Sequence, residues 1–237
     1  MKNFLLALLL SALSAATFAQ SAIQKSSFTI GLGPSFPIGD FASKNAGDDR
    51  AGLAATGFHV NLGYQYQFSQ YVGAILLLNG RTHGIAKDAL RISVPDGSGA
   101  SASASATTWK MGTILAGLSQ SFPLTNSKAF AIEFREAAGV QFTSSPEINV
   151  NYNIPGVGSA AGNQDAQSGT SFGLLLGMGF KYQLSDKLGL KLYGDFNGSN
   201  AHFKAFTVTT GDVITIVPAS KQNTGTIDVG VGLTVGF

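Results

Sequence analysis

Residues 226–237, TIDVGVGLTVGF, alternate between two kinds of side chain without a break. Every second residue is apolar and the last is aromatic, whereas the residues between them are small or polar and include Asp228. This period of two predicts a β-strand with one apolar and one polar face. In a soluble sandwich the apolar face would point into the core. Here glycine, threonine and charge opposite it suit a polar interior with apolar surroundings outside.

Seven earlier segments show the same alternation. They are residues 28–38, 57–68, 71–83, 109–122, 129–142, 171–184 and 188–197. In two of them the direction of the side chains stays open. Residues 75–78 are four consecutive apolar residues, and the fourth segment changes phase, which a β-bulge would explain.

The connections alternate in length, and this regularity is a second signal. Residues 69–70, 124–128 and 185–187 are short turns, whereas residues 40–56, 85–108, 143–170 and 198–225 are long. Aromatic residues would form two belts. The outer belt would contain Phe58, Phe142, Phe172 and Phe196, and the inner belt Tyr66, Phe68, Phe122, Phe130, Tyr182 and Phe237. These features predict an all-β fold, an eight-stranded antiparallel transmembrane β-barrel with short periplasmic turns and long extracellular loops. The alternative, a soluble lipocalin-like barrel, would need its apolar residues inside.

The composition and the start of the chain agree with export to a membrane. Only 12% of the residues are charged and there is no cysteine, so disulfides and thiolate metal sites are excluded. Residues 1–19 read as a signal peptide, with Lys2 before an apolar stretch and Ala19 at a cleavage site, and residues 20–237 would form the barrel domain. Without Lys2 the chain has 14 basic and 13 acidic residues, so nucleic acid is not expected as a partner.

The chain resembles the family of small eight-stranded outer membrane β-barrels, typified by outer membrane proteins A, W and X. The resemblance rests on the strand pattern, the loop asymmetry and the terminal Phe237. It implies a location in the outer membrane among its lipids, and insertion by the barrel assembly machinery with Phe237 as the assembly signal. It also implies a role in adhesion, membrane integrity or passage of small solutes.

The feature of the sequence that most resembles a functional site is a set of charged residues at inward positions. Three cations and three carboxylates lie on four consecutive predicted strands; they are Glu133, Arg135, Lys181, Lys191, Asp195 and Asp228. Since side chains just fill an eight-stranded barrel, we expect a salt-bridged plug, with a proton or ion pathway as the alternative. Glu136 departs from the pattern because strict alternation points it at lipid. We expect it at the outer interface or after a bulge, with a functional membrane carboxylate as the remaining option.

No catalytic, cofactor or metal site is predicted. Acyl hydrolysis needs a hydroxyl with a base in reach, and the three histidines are followed by Val60, Gly84 and Phe203 rather than by the serine of lipid A deacylase barrels. His59 is expected to face inward. His83 and His202 could meet at the outer rim, but without a carboxylate cluster they make a weak metal site. Gly31, Gly33, Gly230 and Gly232 are interpreted as inward strand glycines rather than as a phosphate loop.

The long loops carry the remaining candidates. Residues 100–106 are a low-complexity Ala/Ser run that we expect to be mobile. Residues 148–154 continue the alternation, and residues 206–217 read as a hairpin, so strands are expected to project past the bilayer. We therefore predict a surface structural or interaction protein with Tyr152 and Phe206 as candidate contacts for an extracellular protein partner. The alternative is a narrow channel for small or hydrophobic solutes.

Overall fold

The computed structural model describes residues 25–45, 48, 50–86, 101–125, 129–155, 158–210 and 213–237. The predicted signal peptide therefore lies outside the described residues. Eight long strands dominate: β1 (Ser26–Ile38), β2 (Ala54–Gln67), β3 (Val72–Ile85), β5 (Trp109–Pro123), β6 (Phe130–Ser144), β9 (Ser168–Gln183), β10 (Leu188–Phe203) and β14 (Gly225–Gly236). A 3-10 turn spans Gly39–Ala42. Within the described ranges, no helix is long and apolar enough to cross a membrane.

The eight long strands close into an antiparallel barrel. Each pairs with the next along the chain, β10 pairs with β14, and β14 pairs with β1 through partners such as Val235 and Phe28. The terminal residue belongs to this seam, because the Phe237 amide donates to the Ser26 carbonyl at 2.9 Å. The predicted eight-stranded antiparallel barrel is confirmed, as are the short connections at one end and the long ones at the other.

Several strands extend farther than the sequence pattern indicates. β10 was predicted to end at Asn197 but continues to Phe203, and β9 begins at Ser168 rather than at Ser171. The pattern misses these ends because apolar side chains are required only where lipid surrounds the wall. Beyond the bilayer, backbone pairing continues with small and polar residues.

A second, five-stranded sheet lies in the long connections. Its strands are β4 (Ser101–Ala106), β7 (Ile148–Ile154), β8 (Gly158–Gln164), β11 (Phe206–Thr210) and β12 (Val213–Val217), in the order β12-β11-β8-β7-β4. β13 (Ser220–Asn223) instead extends the barrel wall beside β10. The predictions of further strands in the long connections and of a hairpin over residues 206–217 are confirmed. The expected mobility of the Ala/Ser run is wrong for Ser101–Ala106, because the backbone of this run pairs with β7 along its whole length.

The two uncertain strands keep a simple alternation. β3 and β5 pair without interruption from Val72–Gln120 to His83–Trp109, so the suggested bulge is absent there. Ile75 and Leu77 point inward and are 5% and 2% exposed, whereas Leu76 and Leu78 point outward at 46% and 44%. The lumen is therefore not uniformly polar. It contains an apolar cluster formed by Ile75, Leu77, Leu115, Ala137 and Leu175.

Glu136 lies in the middle of β6, on the outward face. The pairing of β6 with β5 and with β9 is continuous through this position, with Leu118 and Leu176 as the residues directly opposite. The expectation of a bulge or an interfacial position was therefore wrong. Outward residues of β6 run from Phe130 to Phe142, and Glu136 is halfway between these two aromatic residues.

Tyr193 extends from β10 along the inner face of the neighbouring strands β14 and β1 and reaches β2. The ring occupies the space that Gly31 on β1 and Gly230 on β14 leave free, since a Cβ at either glycine would lie 2.5 Å from its nearest ring or hydroxyl atom. His59 on β2 holds the far end, because its Nε2 is 2.9 Å from the Tyr193 hydroxyl. Inward glycines on β1 and β14 thus make room for one large side chain.

We expect Gly31→Ala to destabilise the barrel, because the new methyl group overlaps Tyr193 and overpacking costs about 1–3 kcal/mol. Gly80→Ala is the matched control, since nothing lies within 4 Å of a Cβ at Gly80. Thermal unfolding of the folded barrel in detergent measures the difference. In a Tyr193→Ala background, where the ring is absent, Gly31→Ala should lower the melting temperature no more than Gly80→Ala does. Equal melting temperatures for the two single variants would contradict this account of the lumen.

Candidate functional site in the barrel lumen

The first group of lumen charges surrounds Glu133, which is fully buried on β6. Lys181 on β9 and Lys191 on β10 form salt bridges with its two carboxylate oxygens, and Arg135 Nε lies 3.9 Å from Oε2. Lys181 also donates to Gln65 Oε1 at 2.9 Å. One carboxylate therefore joins cations from three neighbouring strands.

Arg135 links this group to a second carboxylate. One of its guanidinium nitrogens donates to both oxygens of Asp195, at 2.7 and 2.8 Å. The guanidinium group also lies over the ring of Tyr193, 4.9 Å from the centroid, which adds a cation–π contact. His59 Nδ1 is 3.2 Å from the Pro34 carbonyl, so Nδ1 donates there and Nε2 accepts from Tyr193. These contacts order the middle of the lumen.

Asp228 lies apart from the other five predicted residues. It accepts from Arg81 Nε at 2.6 Å, from Ser35 Oγ at 2.5 Å and from Asn197 Nδ2 at 3.0 Å. The sequence did not identify Arg81, because the direction of the side chains in the third segment was open. With Arg81 included, four cations face three carboxylates in these two groups.

An apolar cluster fills the outer end of the lumen. It contains Phe41, Ala54, Trp109, Met111, Ala201 and Phe203. Phe41 comes from the 3-10 turn, is fully buried and packs edge-on against Trp109 with 5.5 Å between the ring centroids. The Trp109 indole N–H donates to the Gly52 carbonyl at 2.9 Å. Aromatic residues at inward positions near the strand ends are the signal that could have revealed this cluster.

Ser35, His83 and Asp228 have the residue types of a hydrolytic triad, and they are in contact. Ser35 Oγ is 3.2 Å from His83 Nε2, but the carboxylate accepts from the serine rather than from the histidine. His83 Nδ1 instead lies 3.0 Å from the Ala55 carbonyl. In a working triad the carboxylate orients the base and the nucleophile is accessible. Here each of the three residues is at most 1% exposed, so the arrangement joins strands and presents no nucleophile.

The two histidines that were expected to meet at the outer rim do not do so. His83 points into the lumen and is buried, whereas His202 is on the outward face of β10 and is exposed. Their side chains lie on opposite sides of the wall. His59 faces inward as expected, at 1% exposure. In the described part of the chain, no group of three or more His, Asp or Glu residues could hold a metal ion.

The two candidate surface residues belong to the outer sheet. Tyr152 on β7 is 41% exposed. Phe206 begins β11, where its backbone pairs with Val217, and its side chain lies outside the described part of the structure.

The family model of the outer membrane protein beta-barrel domain matches residues 5–234. The chain belongs to this family. The protein is therefore an outer membrane β-barrel, and its apolar outward face is the surface that contacts lipid. No curated protein sequence matches the chain.

Solved structures of other bacterial outer membrane proteins are similar to this barrel. Neisserial surface protein A is 11% identical, with a TM-score of 0.44 over 92% of this chain and all of that one. Ail, the attachment invasion locus protein of Yersinia pestis, is 15% identical, with a TM-score of 0.41 over 89% of this chain and 97% of its own. A major outer membrane protein from Thermus thermophilus is 16% identical, with a TM-score of 0.44 over 90% of this chain and 98% of its own.

We expect the double variant Lys181→Met, Lys191→Met to lower the melting temperature of the barrel strongly. Glu133 would keep only the more distant Arg135, and removing one side of a buried ion pair costs about 3–5 kcal/mol. Adding Glu133→Gln should recover part of the loss. Lys187→Met, in an exposed turn, is the control and should behave as wild type. A double variant as stable as this control would show that the charges do not hold the wall together.

Proposed function

We propose that this protein is a non-enzymatic surface protein whose filled barrel supports an interaction sheet outside the membrane. The observation that carries the proposal is the five-stranded outer sheet, which has a strand edge at β12. Among the described strands, β12 pairs only with β11. Such an edge offers unpaired backbone N–H and C=O groups to an incoming extended segment.

The composition of β12 favours strand addition. Its residues, VITIV, are all β-branched and uncharged, so the strand has high β-propensity and lacks the lysines that usually protect an edge. Ile216 is 73% exposed. An incoming strand would gain main-chain hydrogen bonds from the edge and apolar contact from Ile216.

The lumen supports a structural rather than a conducting role for the barrel. The apolar cluster around Phe41 and Trp109 fills the outer end, and the ion pairs of Glu133 and Asp195 join β6 to β10 below it. Both layers join strands that are not adjacent in the wall. A barrel braced in this way suits a rigid support for the outer sheet.

We expect the purified barrel in a planar bilayer to give no steady conductance, because two layers of side chains fill its interior. The alternative function, a narrow channel for small or hydrophobic solutes, predicts the opposite. Trp109→Ala together with Phe203→Ala provides the comparison, since it should open the outer layer. Stable, ion-selective openings of the wild type would support the channel and overturn the filled-lumen part of the proposal.

We expect deletion of residues 206–217 to leave the barrel folded. Cells that display this variant should bind less to immobilised extracellular matrix proteins than cells that display the wild type. Ile216→Lys should reduce binding similarly, because a charge on a strand edge opposes strand addition. Ala219→Lys adds the same charge just after β12 and should keep wild-type binding. The heat-dependent gel mobility of each variant verifies that the barrel has folded. Equal binding by all of these proteins would contradict an interaction role for β12 and favour a hairpin that only stiffens the barrel mouth.

A further inference from the structure

Glu136 lies in an apolar groove on the lipid-facing surface, at half the height of β6. The groove spans β5, β6, β9 and β10 and has a volume of about 190 Å³. It exists because two outward residues that pair directly across β5 and β6, Ala116 and Ala138, have side chains too small to fill the space. Larger apolar residues form its walls; these are Leu118, Leu174, Leu176 and Phe196.

The carboxyl group of Glu136 lacks an ion-pair partner among the residues that the structure describes. The side chain is half-buried, and its Oε1 is buried without a hydrogen-bond partner among the described residues. Apart from His202 near the end of β10, Lys110 is the one described basic residue on the outward faces of the four groove strands. It is eight positions from Leu118, the residue opposite Glu136, or roughly 27 Å along β5. An acidic group in the middle of a bilayer is costly without a partner, which marks it as a functional position.

We propose that this groove binds a lipophilic amine that enters from the bilayer, with its apolar body in the groove and its ammonium group on Glu136. Charge complementarity identifies the ligand class. A single carboxylate in an otherwise apolar site is best satisfied by a single cation on an apolar molecule, because the attraction between the two charges is stronger where water is excluded.

A second copy of the chain fits the groove less well. Two copies related by a twofold axis would bring one Glu136 against the other, so that neither carboxylate gains a cation. Two concave surfaces would also leave a void between them, whereas the chain of an amphiphile can fill one groove. The site lies on the opposite side of the wall from the lumen charges, so it does not depend on the proposed surface function.

The test uses the full-length mature barrel in phosphatidylcholine vesicles. Dicyclohexylcarbodiimide, an apolar reagent that modifies carboxyl groups, is added, and mass spectrometry of the protein and its peptides locates the adduct. We expect one adduct, on Glu136, and none in Glu136→Gln. The lumen carboxylates should not react, because Glu133, Asp195 and Asp228 are at most 2% exposed. Absence of an adduct on Glu136 would overturn the proposal.

Competition then identifies the ligand chemistry. Dodecylamine should protect Glu136 at an about tenfold lower concentration than dodecanol, which has the same chain without the charge. Ala138→Leu keeps the carboxyl group but fills the groove, and should abolish protection by the amine. Ala74→Leu, at an outward position of β3, is the control and should protect as wild type. Equal protection by the amine and the alcohol would overturn recognition by charge. If the wild-type barrel forms a dimer that Glu136→Gln abolishes, the amine proposal is overturned and a second copy of the chain is the occupant of the groove.

Discussion

Backbone pairing between β14 and β1 is the constraint on which the rest of the structure depends. In hydrocarbon no water satisfies an unpaired N–H or C=O group, so a sheet can cross a membrane only when its first and last strands pair. The seam from Phe28–Val235 to Ile38–Gly225 meets this requirement. Closure at eight strands also fixes the width of the interior, which is small enough for side chains from opposite walls to touch.

The two faces of the wall therefore obey different rules. Outward residues need only be apolar, and most of them are large aliphatic or aromatic side chains. Inward residues must neutralise one another's charge and fill the interior without overlap. Glu133, Arg135 and Asp195 therefore take part in ion pairs, and the absence of a side chain at Gly31 leaves space for the Tyr193 ring. Above the bilayer water returns as a hydrogen-bond partner. Strand edges such as that of β12 can then remain open.

The sequence was sufficient to predict the architecture because the period of two is a direct consequence of strand geometry. It indicated the eight strands, the short and long connections, and the inward direction of residues such as Lys181 and Asp228. It failed where alternation carries no information. Residues 75–78 are all apolar, so their direction stayed open, and with it the position of Arg81.

Contacts between segments that are distant in the sequence were the other features that the sequence did not predict. Phe41 reaches the outer cluster from a loop turn, and Ser101–Ala106 forms a strand only because β7 lies beside it. Neither is visible in a local pattern. At Glu136 the strict alternation correctly predicted an outward side chain, whereas the expectation of an interfacial position or a bulge was wrong. The groove around it arises from small residues on β5 and β6, which the sequence shows but which only the register brings together.

The salt bridge between Arg81 and Asp228 has a consequence for how the barrel enters the membrane. Arg81 belongs to the third strand of the wall and Asp228 to the last, 147 residues later. A partly inserted sheet of the first strands would hold this guanidinium group in or near hydrocarbon without its carboxylate, at a cost of several kcal/mol. The charge pairing thus penalises insertion strand by strand. It favours a route in which the lumen remains wet until the eighth strand arrives, so that closure and desolvation of the interior occur as one cooperative step.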